Sequence, residues 1–189
     1  MRAAYAQGGE KKAAPIATAY LDRFKNDRTA LRDAAVVAML FGDVDRSTAI
    51  EKQIVDSGRG ESLDYNQLAW AALMAGKVTT ATLELANRGM LVGNNDATGL
   101  MHTLAAVDAE LDKPAEARAT LLQRITALGE DEPDDNDWYV FGRIAECYGL
   151  SQEAASMYRR LERPKNELAI LASSYALAQK RLKAIDGAK

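Results

Sequence analysis

Four residues at nearly even spacing constrain this chain more than any other feature. Gly42, Gly76, Asp112 and Gly149 follow one another at steps of 34, 36 and 37 residues. Each closes one apolar, alanine-rich run and precedes another. Leu68-Ala69 leads to Gly76, then Ala81 and Leu85; Leu104-Ala105 leads to Asp112, then Ala117 and Leu121. The clearest unit runs from Trp138 through Phe141, Gly142 and Cys147 to Gly149, then Ala154 and Tyr158. A period in the mid-thirties with two helical patterns per unit is the signature of a helix-turn-helix repeat array. No run alternates apolar and polar residues with β-branched enrichment, so strands have no support. The expected fold is all-α.

The apolar spacing predicts ten helices, at 13–25, 29–41, 47–55, 62–75, 79–91, 98–111, 115–128, 138–148, 151–161 and 166–185. The first carries Ile16, Ala19, Tyr20 and Phe24 on one stripe, and the second buries Leu31, Ala35, Val36, Met39 and Leu40. Ser62 or Asp64, Thr79, Asn95 or Asp96, and Ser151 are candidate N-caps, and Pro114 suits a first helical turn. The run at 56–62 reads as the clearest loop of the N-terminal half. Small residues must face each other where paired helices approach closely: Ala69, Ala105 and Gly142 in first helices, Ala81, Ala117 and Ala154 in second ones. Larger residues (Trp138, Phe141, Tyr158, Leu85, Leu104, Leu121) then fill the space toward the next unit. The last helix, with Leu168, Leu171, Ala172, Tyr175, Ala178 and Leu182 on one face, is placed to cap the final pair.

These residues resemble the tetratricopeptide repeat family. Trp138 stands at its leading aromatic position, Gly142 at its small position, Gly149 at its turn, Ala154 in the second helix, and Tyr158 near that helix's end. Pro164 falls close to the family's terminal proline. The earlier units are degenerate: Tyr65 or Met101 leads, Asp112 replaces the turn glycine, and Ser47 stands where the first unit should carry alanine. The resemblance implies a right-handed α-solenoid of antiparallel pairs over 28–164, preceded by a leading segment at 1–27 and followed by a capping helix within 165–189. The stretch from Gly99 to Leu150 is also similar to repeat-bearing C-terminal tails of large bacterial proteins with transglutaminase-like regions, although no transglutaminase site is present.

Composition narrows the function. A net charge of −3 does not suit a nucleic-acid protein, which normally carries a basic face. The basic residues Arg159, Arg160, Arg163, Lys165, Lys180, Arg181 and Lys183 read as a solvated face. The acidic run from Glu130 to Asp137 lacks the spacing of a calcium loop and fits capping of the next helix. His102 is the one histidine and Cys147 the one cysteine. Between them they could form only an unsupported dyad, without an orienting group or oxyanion site. No glycine-rich phosphate loop occurs. No metal, cofactor, nucleic acid or membrane is expected as partner, and without a signal peptide or apolar span the expected compartment is the cytoplasm.

What remains is binding. In tetratricopeptide proteins the first helices of successive units line a concave groove that holds peptides. The resemblance places Asn66 and Trp70, then His102, then Tyr139 and Arg143 at groove positions. Trp, Tyr and Arg are the types enriched at binding hot spots, with Arg143 as the anchor for an acidic segment. The expected function is a non-enzymatic protein–protein interaction scaffold. The alternative is a regulatory or scaffolding C-terminal tail of a larger multidomain bacterial enzyme, inactive alone.

Overall fold

The structure is a computed structural model that describes residues 15–16, 18–20, 22–24, 27–93 and 98–187 (168 for its backbone). Every regular element among the described residues is helical. They are α1 (Arg28–Leu40), α2 (Val44–Ile54), α3 (Ser62–Ala75), α4 (Thr80–Val92), α5 (Thr98–Glu110), α6 (Pro114–Leu128), α7 (Asp137–Cys147), α8 (Ser151–Tyr158), α9 (Glu167–Ile170) and α10 (Ser174–Gly187). The pairs α1/α2, α3/α4, α5/α6 and α7/α8 pack within themselves, and α5 also packs on both α3 and α7.

The reversals follow from local chemistry. Gly42, Gly76, Asp112 and Gly149 all take left-handed backbone angles, with φ of 78°, 66°, 58° and 74°. Glycine adopts that region without penalty, and aspartate is among the few other residues that visit it. Pro114 opens α6, where its missing N–H costs nothing. Asp43 accepts the backbone N–H of Arg46 and so starts α2 three residues ahead of the expected position. Glu61, rather than Ser62 or Asp64, caps α3, and Asp64 closes the box by accepting the Glu61 N–H at 2.7 Å. The first half of the expected loop at 56–62 continues α2 as a wide π-helical turn over Val55–Arg59. The Asn95 and Asp96 caps lie outside the described residues.

Small residues sit at the crossings. Ala69, Ala105, Ala117 and Ala154 are fully enclosed, and Ser47 takes the same role in α2. Ala81 does not: it is exposed. The turn after Gly76 holds three residues before α4 begins at Thr80, against one in the other pairs, and this slides the second helix's register. Thr82, Ala86 and Gly89 face inward there instead. One continuous core runs from Met39 to Leu182, and a smaller cluster of Leu31, Ala34, Ala35, Ile50 and Ile54 joins α1 to α2. Ile16, Ala19 and Phe24 of the leading stripe are exposed.

The C-terminus departs furthest from expectation. The single helix at 166–185 is broken at 171–173, where the Ser173 hydroxyl bonds the Ile170 carbonyl and accepts from Ala176 N–H to start α10. α10 packs on α7 and α8, burying Leu177, Ala178 and Leu182, as a cap should. The part before it reaches much further. α9 touches α1, and residues 169–174 form a strap across the first helices, leaving Leu171 exposed.

Candidate functional site

The strap covers a cavity of about 470 Å³. Its walls come from three first helices: Val36, Met39 and Leu40 from α1, Asn66, Gln67 and Trp70 from α3, and Gly99, His102 and Thr103 from α5. Arg124 and Asn136 close one side, and Ala169, Ala172, Ser173 and Ser174 form the roof. Val36 and Leu40, expected in the core of α1, are half-buried because they face this space.

Three of the five groove residues meet here. Trp70 donates its indole N–H to the Ala172 carbonyl at 3.0 Å, a bond spanning 102 residues. The His102 ring lies 5.7 Å from the Trp70 ring. Its Nε2 is 3.2 Å from the Asn136 carbonyl; a carbonyl only accepts, so Nε2 carries the proton and Nδ1 keeps its lone pair. Burial lowers the His102 pKa to about 4, which leaves the ring neutral at pH 7. The amide oxygen of Asn66 is sealed from solvent and has no hydrogen-bond partner.

Tyr139 and Arg143 are not on this surface. They lie inside, 1% and 9% exposed, in a polar network joining α5, α7, α8 and α10. Glu110 accepts from the Tyr139 hydroxyl and from Arg143 Nε, each at 2.7 Å. Glu146 accepts from Arg143 at 2.8 Å, from the Tyr158 hydroxyl at 2.5 Å and from Arg181 Nε at 3.0 Å. Burial pushes the Glu146 carboxyl up, but the bonds from Arg181 and Tyr158 outweigh it and leave its pKa below the usual value. Arg143 is thus balanced by two carboxylates of its own chain. The sequence reading missed Glu110, whose partners stand 29 and 33 residues away, and Glu146, although the Arg143–Glu146 spacing of three is a local helical signal.

The other candidates also find internal partners. The acidic run is tied down by Arg124, whose guanidinium binds both Asp137 oxygens, at 2.8 and 2.7 Å, and Asp134 at 2.7 Å. Asp134 accepts the backbone N–H groups of Asn136 and Asp137, so the carboxylates do cap the start of α7. Among the described residues no group of three or more His, Cys, Asp or Glu side chains converges as metal ligands. Cys147 donates to the Ala109 carbonyl at 3.4 Å. That carbonyl is seven residues from His102, roughly 10 Å along a helix, so no dyad forms. Of the basic cluster, Arg160 stacks 4.1 Å over Trp138, Arg163 pairs with Glu167, and Lys180 reaches the Met74 carbonyl at 3.1 Å. No helix among the described residues is long and apolar enough to cross a membrane.

Against family models, curated proteins and solved structures, the chain finds no match.

Proposed function

We propose that this chain is a non-catalytic protein-interaction module, a short right-handed solenoid of tetratricopeptide-like pairs whose first-helix face receives a polypeptide segment. Left-handed turns at four equivalent positions and small residues at the crossings support the repeat reading. One observation supports the receptor role most directly. The face already holds polypeptide, through the Trp70 indole bonded to a main-chain carbonyl of the strap. Recognition through a backbone carbonyl does not depend on the side chain presented, and Trp adds broad contact area at low entropic cost.

The same geometry changes the expected charge preference. Arg143 is satisfied by Glu110 and Glu146 of its own chain and is not free to anchor an acidic segment. The test is a partner recovered with the full chain, purified, and titrated against the parent and Trp70→Ala at equal helicity. Loss of about 2 kcal/mol of binding is the expected result. Unchanged affinity places the receptor surface elsewhere.

A further inference from the structure

We propose that the strap is a displaceable plug: it sits on the first-helix face in place of a partner segment whose large apolar side chain fills the space the strap leaves open. This deepens the receptor reading above and rests on it. The strap lines the cavity with Ala169, Ala172, Ser173 and Ser174 alone, none with a side chain larger than a hydroxymethyl group. Its large residue Leu171 is instead 55% exposed. About 470 Å³ therefore stays open beneath a segment already in place, whereas packed protein leaves few voids larger than a water molecule.

The walls define what fills that space. Val36, Met39 and Leu40 of α1 make its apolar side, and Val36 and Leu40 are left half-buried under the strap. Arg124, the one charged lining residue, is already held by Asp134 and Asp137, so an uncharged side chain matches the lining. The Trp70 indole takes a main-chain carbonyl, which any residue at the position of Ala172 supplies. A segment with leucine at the position of Ala169 or Ala172 keeps that bond and gains apolar burial worth at least about tenfold in affinity. The strap's own advantage is its tether, which holds it at an effective concentration in roughly the millimolar range or above. A segment of the strap's own composition competes poorly against that, and one that fills the space competes well.

The experiment uses the isotope-labelled full chain and three unlabelled peptides of residues 163–176: the native sequence, Ala169→Leu and Ala172→Leu. Binding is read at the Trp70 indole N–H resonance. One of the leucine peptides should bind the parent at least about tenfold more tightly than the native peptide. At saturation the chain's own amides around Ala172 should lose protection from exchange, which reports release of the strap. The same two substitutions are then made in the full chain. At least one should slow exchange in the strap about tenfold, whereas a strap already packed against its walls would be overpacked and open faster. Ala172→Asp sets a charge against the apolar walls and should release the strap while the first helices keep their wall residues. The better leucine peptide should bind Ala172→Asp most tightly, the parent less tightly and the leucine-filled chain least. Equal affinity for all three chains, or faster strap exchange in both leucine variants, overturns the proposal and leaves the receptor reading standing. No binding of any peptide even to Ala172→Asp overturns the receptor reading itself, and the proposal with it.

Discussion

The ring of Tyr158 lies directly on the backbone of Gly142: a Cβ built at Gly142 would stand 2.3 Å from Cε1 of that ring. The ring cannot swing aside, because its hydroxyl is bonded to Glu146 at 2.5 Å and the residue is fully buried. This contact sets how closely α7 and α8 approach.

Gly142→Ala therefore forces a methyl group into a site fixed at both ends. The expected cost is about 3 kcal/mol, at the upper end for overpacking. In a chain of this size that corresponds to a melting point lowered by roughly 6–12 °C. A drop of less than about 2 °C would show that the two helices can part freely.

Glu51 gives a pH prediction. It is 1% exposed, its Oε2 has no partner, and burial followed by the charge of Asp64 raises its pKa to about 8, with Arg32 opposing. The folded state then holds a proton that the unfolded chain releases near its ordinary value of about 4.5. This group's contribution to stability is present below about pH 4.5 and is lost as pH rises toward 8. Glu51→Gln should resist alkaline denaturation, exceeding the parent at pH 9 by at least about 1.4 kcal/mol, the worth of one pKa unit. Parallel stability curves from pH 5 to 9 would contradict it.

Asp112 occupies a glycine's backbone conformation at φ 58°. Asp112→Gly should raise stability by about 0.5–1 kcal/mol, since the left-handed region costs roughly 1–2 kcal/mol for a residue with a side chain and glycine's greater unfolded entropy offsets part of it. Urea denaturation would measure this. A lower midpoint would mean that contacts of the Asp112 side chain outweigh the strain.

Trp70→Phe keeps a ring in place and removes the N–H bonded to Ala172. A hydrogen bond worth about 1 kcal/mol should make backbone amides around Ala172 exchange roughly fivefold faster. Exchange within α3 and α5 should stay as in the parent. Equal acceleration everywhere would mean that the strap opens only with the whole molecule.

The four turn residues and the small residues Ala69, Ala105, Ala117, Gly142 and Ala154 were legible in the sequence because their roles are local or repeat with the period. Ala81 was misread because two extra residues after Gly76 shift the register without disturbing the apolar pattern. The break before α10 had a signal in the pair Ser173-Ser174, a helix-starting composition inside an otherwise helical run. Asn66, Trp70 and His102 come together because the same face recurs in each first helix. Tyr139 and Arg143 share that periodicity, yet Glu110, 29 and 33 residues away, draws them into the interior; only the Arg143–Glu146 pair, three residues apart on one helix, could be read from spacing.

The strap also decides how the molecule comes apart. Helical pairs that touch only their neighbours can fray from either end, each unit leaving nearly at its own cost. Here Trp70 is tied to Ala172 and Met74 to Lys180, across 102 and 106 residues, and α9 rests on α1. α9 thus holds the first pair and α10 the second, so the first and last described helices are not free to peel away alone. A chain built this way gains all-or-none unfolding and gives up the freedom to lengthen: one more pair inserted in the middle would carry the strap's two anchorages out of each other's reach.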